Sequence, residues 1–125
     1  MSIDAVTVVE AYITGFVSND APQILSTIAP NLVMIGTSAN NTNHIDAHMF
    51  LNGEAVEQWV GGMLSDAGPH ENQFQLHYTS ERMGATVIMM RETGKNRFRT
   101  WDNQLVTYIL GDFGGQWKIM AYHLI

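Results

Sequence analysis

Cysteine is absent from the chain. That removes disulfide staples, thiolate nucleophiles and zinc sites built on sulfur, so a metal would have to be held by histidine and carboxylate. Positive charge is scarce too: Lys and Arg number 6 against 12 Asp and Glu, for a net charge of −6. Apart from Arg91, Lys95, Arg97 and Arg99 the cations form no cluster, and that group surrounds a Gly-Lys-Asn turn, the pattern of a solvated hairpin end. A nucleic-acid backbone would meet repulsion over most of the surface, so no nucleic-acid partner is expected. No apolar run reaches the length of a membrane span, and no membrane partner is expected. The opening MSIDAVTVVEAY carries Asp4 and Glu10 where a secretory signal needs basic residues and then an apolar stretch, which leads us to expect a cytoplasmic protein. There is no Gly-rich phosphate loop before a helix, since GDFGG lies between two strand-like segments, and no Gly-x-Ser-x-Gly turn for a serine nucleophile. No cofactor is expected.

What is present is apolar. With 125 residues, 46% of them hydrophobic, the chain can fill one sizeable core, and residues 1–125 read as a single domain. At about 100° per residue, Ala5, Val9, Tyr12 and Phe16 fall on one narrow face, with Thr7, Thr14 and Ser18 opposite, so residues 4 to 18 form an amphipathic helix. Asp20-Ala21-Pro22-Gln23 then supplies a cap, a proline suited to a first turn, and a Gln placed to reach back, which opens a short second helix ending before Pro30. LVMIG, residues 32 to 36, is a short β-branched run and reads as a buried strand. Residues 37 to 52 turn polar and read as the longest irregular segment. Val56, Trp59, Val60, Met63 and Leu64 repeat at helical spacing before the Gly68-Pro69 stop, giving a third helix. From Asn72 the texture changes to QFQLHYTS, ATVIMMRE, NRFRTWDNQLVTYIL and QWKIMAYHLI, separated by short turn signals. Helices first and an antiparallel meander after them make an α+β domain.

The words VVEAYITGFVSND, IAPNLVMIGTS, NGEAVEQWV and GGQWKIMAYHLI, in that order, resemble the SnoaL-like branch of the NTF2-like superfamily, which includes ketosteroid isomerases, polyketide cyclases and kinase association domains. The resemblance implies a cone: a strongly curved antiparallel sheet wrapped around the N-terminal helices, a cavity at one end, and a homodimer formed through the sheet. It also implies a small-molecule ligand. The isomerases' first-helix tyrosine, which donates to a developing oxyanion, matches Tyr12 of VVEAY. Their general-base aspartate falls on Gly36, which has no side chain to take a proton, and their protonated aspartate falls near Val106. Asp102 lies four residues earlier on that strand, with the same facing if no bulge intervenes.

Three residues are candidates for chemistry. Tyr12, among Ala5, Val9 and Phe16, must bury its ring, and its hydroxyl then needs a partner in the core or on a ligand. By alternation Asp102 shares a face with Phe98, Thr100, Gln104 and Val106. Turned inward it is an acid or base with a raised pKa, and turned outward a solvated charge. His123 alternates with Trp117, Ile119, Ala121 and Ile125, so it is either an inward proton relay or a structural histidine at a neighbouring strand or interface. Phe16, Trp59, Met63 and Tyr78 are the candidate apolar walls of a ligand site. His44, Asp46 and His48 alternate in NHIDAHMF, and two imidazoles with a carboxylate are the ligand set of non-haem iron sites. Alternate side chains on a strand stand about 7 Å apart, too far to converge on one ion without a bend. The segment therefore reads as the rim of a cavity, with His44 and His48 as ligand contacts, or as a plain polar loop, and no metal is assigned. Two functions stay open: an enzyme of isomerase, cyclase or hydratase type, and a non-enzymatic binding or association module.

Overall fold

Helix ends and side-chain ties set the N-terminal layer. In the computed structural model, α1 spans Ala5–Val17, and Asp4 caps it by accepting from the Val6 amide at 2.9 Å, which satisfies one of the amides a helix start leaves without a partner. The structure describes the backbone of residues 4–38 and 41–124, with side chains except at 34–38, 41–50, 122 and 124. The buried face of α1 is Ala5, Val8, Val9, Tyr12, Ile13 and Phe16. Helix α2 spans Ala21–Ser26, and its cap Asp20 accepts from the Gln23 amide at 3.1 Å. The Gln23 side chain does not reach back as a capping box would. It donates instead to the Ala11 carbonyl at 2.9 Å and the Thr14 hydroxyl at 3.1 Å, which pins α2 across α1. Gly15 makes that crossing close, since a Cβ there would lie 2.6 Å from Ile24 Cγ1.

Strand β1 covers Ile28–Ser38, and β2 covers Asn41–Asn52. The polar segment that reads as irregular in the sequence is thus mostly strand. Its backbone pairs antiparallel with β1 from Asn31↔Asn52 to Ser38↔Asn41, with register shifts between Gly36 and Ser38, so a hydrogen-bond ladder overrides its weak apolar pattern. Helix α3, Glu54–Asp66, buries Val56 and Val60. The remaining strands are β3 (Glu71–Arg82), β4 (Ala85–Lys95), β5 (Thr100–Phe113) and β6 (Gln116–Leu124). Met83-Gly84, with φ of 54° and 80°, and Gly114-Gly115, with 64° and 88°, make the tight turns before β4 and β6. Positive φ at both central residues matches the right-handed twist of a hairpin.

Among the described residues these strands form one six-stranded sheet in the order β2-β1-β6-β5-β4-β3. All pairs are antiparallel apart from β1 and β6, which run parallel. The sheet is curved and unclosed, with the helices on one face, an α+β cone. Ile88 and Met90 of β4, Val106, Tyr108 and Leu110 of β5, and Ile119 of β6 pack with the buried face of α1 as one core. Three register shifts interrupt this half of the sheet, between Leu76 and Tyr78, Glu92 and Gly94, and Ile109 and Leu110. Each inserts a residue on one strand and so reverses which side chains face the core beyond it. Among the described residues, no helix is long and apolar enough to cross a membrane.

Candidate functional site

The inner face of the sheet and the two longer helices leave a cavity of about 140 Å³. Its apolar wall is Tyr12, Ile13 and Phe16 of α1, Trp59 and Met63 of α3, and Val106 of β5. Aromatic edges hold this wall rigid: Phe16 meets Tyr12 with centroids 5.2 Å apart and Trp59 at 6.1 Å, and Tyr12 meets Tyr108 at 5.8 Å. The polar wall is His70, Asn72, Glu92, Asn96, Arg99 and Gln104.

Glu92 is the centre of the polar wall. It continues the inward alternation of Ile88 and Met90 and is only 5% exposed. A buried carboxylate needs donors, and two are built in. Tyr108 donates its hydroxyl to Glu92 Oε2 at 2.6 Å, and Asn72 donates its amide to Oε1 at 2.8 Å. Burial nevertheless dominates and pushes the Glu92 pKa up, opposed by the Tyr108 bond, then the Asn72 bond, then the charge of Arg99. A carboxyl whose pKa burial raises holds its proton to higher pH than a solvated one, the direction that general acid–base chemistry calls for.

Arg99 enters the wall from the turn between β4 and β5. Its guanidinium donates to Gln104 Oε1 and lies 5.0 Å from the centroid of the Trp101 ring, so both its position and its plane are held. The turn itself is closed by Asn96, whose side chain accepts from the Phe98 and Arg99 amides at 2.8 and 3.1 Å. It is fastened to the end of α3, where the Arg97 amide donates to the Ala67 carbonyl at 2.7 Å and its guanidinium to the Asp66 carbonyl at 3.2 Å. His70 lies beneath that clasp, 5.1 Å from the Phe16 ring centroid. Its Nδ1 faces the Gly68 carbonyl at 3.1 Å. Because a carbonyl can only accept, the proton is assigned to Nδ1. Burial lowers the His70 pKa, and the Gly68 bond opposes this.

Of the residues singled out from the sequence, Tyr12, Phe16, Trp59 and Met63 come together in the cavity lining. Asp102, His123 and Tyr78 do not. The shift opposite Glu92 and Gly94, with Asn103 at φ 49°, brings Trp101 and Gln104 to the inner side and turns Asp102 to the exposed one. There it accepts from the Thr93 hydroxyl at 3.4 Å. Of the two facings that the sequence leaves open for Asp102, the structure has the outward one, so Asp102 is not in the cavity as an acid or base. The shift at Ile109 and Leu110 does the same for β6: Ile119 is buried, but His123 sits opposite Thr107, on the face away from Val106 and Tyr108. Tyr78, 52% exposed, follows the shift in β3 and pairs with Met89 on the outer face. The side chains of His44, Asp46 and His48 lie outside the described residues. Glu92, Asn72, Arg99, Gln104 and His70 were not singled out. For Glu92 a signal existed, because the alternation through Ile88 and Met90 in ATVIMMRE ends on it.

No protein-family model matches the chain, and no curated protein matches its sequence. Solved structures do match in fold. A protein from Thiobacillus denitrificans assigned as a calcium/calmodulin-dependent protein kinase type II association domain is 16% identical, with 94% of this chain and 90% of that one covered, at a TM-score of 0.70. An NTF2-like protein of unknown function from Shewanella oneidensis is 15% identical over 95% of this chain and 93% of its own, at 0.68. A protein with a cystatin-like fold from Nostoc punctiforme, also of unknown function, is 14% identical over 99% and 93%, at 0.68. At these identities the likeness is one of architecture, and with the curved sheet, the enclosed first helix and the cavity it shows that this chain has the NTF2-like fold.

Proposed function

We propose that the protein binds one small, largely apolar organic molecule in the cone cavity and exchanges a proton with it through Glu92, without a cofactor. The observation that carries this reading is a carboxyl buried in the polar wall of a cavity whose other wall is aromatic and aliphatic, with Tyr108 and Asn72 aimed at its two oxygens. An acid of purely structural use would be better replaced by an apolar side chain, because desolvating it costs several kcal/mol or roughly that order. In an isomerisation the proton leaves one ligand atom for a Glu92 oxygen and returns from it to another, so atoms and charge balance within the site. Tyr12 and Arg99 line the same cavity, and a hydroxyl or guanidinium presented there would stabilise negative charge developing on the ligand. A cyclase or hydratase would use the same group as acid or base.

The test is a ligand screen by NMR in D₂O. Hits should acquire solvent deuterium in the presence of the parent protein and of Asp102→Asn, and should lose that exchange with Glu92→Gln. Ligands that bind all three proteins alike and never exchange would remove the proton-transfer role. Exchange surviving in Glu92→Gln would remove Glu92 from it.

A second reading, an association module, is favoured by a different observation. The outer face of the sheet aligns Val87, Ile109 and Ala121 across three strands, beside Met89, Thr107 and His123, with Tyr78 at its edge. Ile109 and Tyr78 are exposed there, and an apolar face of this kind suits a homodimer formed through the sheet. Sedimentation equilibrium of the parent and of Ile109→Lys decides it: a dimer that Ile109→Lys dissociates supports this face, and a monomeric parent excludes it. Both readings can hold of one protein.

A further inference from the structure

Main-chain groups fix the orientation of two side chains that face each other at the polar wall, Asn96 and His70. The Asn96 side-chain oxygen accepts from the Phe98 and Arg99 amides at 2.8 and 3.1 Å, two donors that decide which end of the Asn96 amide is oxygen. Its nitrogen is thereby aimed at His70 and stands 3.4 Å from Nε2. On the other side of the ring Nδ1 meets the Gly68 carbonyl at 3.1 Å, and a carbonyl only accepts, so Nδ1 carries the proton and Nε2 is bare. The surrounding backbone thus demands one form of the ring, the neutral imidazole protonated at Nδ1. A second proton, on Nε2, would set an N–H against the Asn96 amino group. Turning the Asn96 amide over gives no relief, because the amino group would then face the Phe98 and Arg99 amides, two conflicts in place of one. Phe16 covers the ring at 5.1 Å between centroids, and burial holds it on its neutral side.

We propose that neutral His70 is a positioning residue of the site: through Asn96 it holds the turn between β4 and β5, and with it the polar wall of Arg99, Trp101 and Gln104, and its protonation releases that turn. That this wall meets a ligand rests on the reading of the cavity as the ligand site; the latch between His70 and Asn96 does not. The ring shares its hollow with Glu92 of β4, Arg99 of the turn, Tyr12 of α1 and Tyr108 of β5. Arg97 lies against Gly68, its guanidinium nitrogen 3.2 Å from where a Gly68 Cβ would stand. Glu71 of β3 pairs with Lys95 at 3.4 Å, and the Asp66 carboxylate at the end of α3 accepts from the Ser65 hydroxyl at 3.2 Å. Among the described residues, then, no carboxylate bonds the ring and draws a second proton onto it. The folded pKa lies below that of the unfolded chain, so the latch is complete above the unfolded value and is lost as pH falls through the folded one.

The experiment is NMR on the full chain without ligand, from about pH 8 down to about pH 5, the span in which a histidine titrates. Ring ¹⁵N shifts at the upper end should show Nδ1 protonated and Nε2 bare. As His70 titrates, exchange protection of the Phe98 and Arg99 amides, corrected for intrinsic pH dependence, should fall about tenfold or more while Ile88 and Met90 stay protected. The Trp101 indole resonance should move with the same midpoint. Repeating the titration in Glu92→Gln separates the two groups, and the midpoint should persist there. Asn96→Asp is the decisive variant: a carboxylate still accepts both backbone amides and now favours a protonated ring. His70 should therefore titrate at higher pH, and the sign should reverse, with the turn tighter when the ring is charged. His70→Phe keeps a ring beside Phe16 and should leave the turn open at every pH; should it fail to fold, the parent and Asn96→Asp decide. A turn whose protection ignores the titration of His70 would overturn the proposal, as would an unchanged sign in Asn96→Asp. Either result leaves the cavity standing as a ligand site, and a failed ligand screen in D₂O would leave the latch in place.

Discussion

Replacing Tyr108 by Phe removes one oxygen and keeps the ring, so the edge contact with Tyr12, at 5.8 Å between centroids, survives. What is lost is the 2.6 Å hydrogen bond from the phenol to Glu92 Oε2. A hydrogen bond to a charged group contributes about 1.5–3 kcal/mol, and a neutral one about 1 kcal/mol. The loss should therefore depend on whether Glu92 carries its charge. Once pH has risen through the raised Glu92 pKa, the variant is expected to be less stable by about 2 kcal/mol, which for a domain of this size lowers the melting temperature by roughly 8 °C. At pH 4, where Glu92 is protonated, the deficit shrinks to about 1 kcal/mol. Thermal melts followed by circular dichroism across this range, paired with the parent at each pH, measure both numbers. An equal deficit at both ends would refute the claim that the phenol acts on an ionisable partner, and no deficit at either end would refute the bond.

The Glu92 pKa lies above its ordinary value of 4.5 because burial penalises the charged form, so the native state holds this proton to a higher pH than the unfolded chain does. The associated stability is complete below the unfolded value and is lost as pH rises through the folded one. Glu92→Gln should flatten that fall, so that the variant gains on the parent between pH 4 and pH 8; denaturant titrations at both pH values check it, and parallel profiles would count against it. Gly94 admits no side chain, since a Cβ there would stand 2.0 Å from the Glu71 carbonyl oxygen, a backbone atom that cannot swing away. Gly94→Ala should therefore cost about 2 kcal/mol or more in a urea titration, and an unchanged midpoint would show that the bulge relaxes freely. Weakening the clasp with Arg97→Ala, which removes the guanidinium bond to Asp66 and keeps the amide bond to Ala67, should speed amide exchange at Arg99 and Asn96 while leaving Ile88 and Met90 protected, as a local opening would; uniform exchange would mean that the turn and the core open together.

The fold was legible because its signals are redundant. The 3.6 period of α1, the Asp20-Ala21-Pro22 start of α2, and the Gly-containing turns before β4 and β6 each act locally, and each forms as its residues dictate. What local pattern could not show was pairing. Strand β2 reads as a polar loop because its stability comes from the ladder to β1, a partner that no window on residues 41 to 52 contains. The parallel contact of β1 with β6 is likewise a matter of distant chain segments meeting.

The site was half legible, and the dividing line is physical. Helices carried Tyr12, Phe16, Trp59 and Met63 to the cavity, because a helical face drifts little over two or three turns. Strands carried Asp102, His123 and Tyr78 away from it, because in a strand facing is a parity, and one inserted residue inverts it. In each case a register shift lies near the residue concerned. The same shift that turned Asp102 outward brought Trp101 and Gln104 in, on the strand that follows the Arg99 turn, and it left Glu92 as the carboxyl inside. The bulge thus builds the polar wall, since an uninterrupted register from Glu92↔Gln104 would have set Asp102 opposite Gly94 and on the inner face in place of Trp101. Asp102→Asn should accordingly leave the affinity of cavity ligands unchanged, while Glu92→Gln, inside the cavity, changes it. Loss of affinity in Asp102→Asn would show that the register drawn between β4 and β5 is the part to be redrawn.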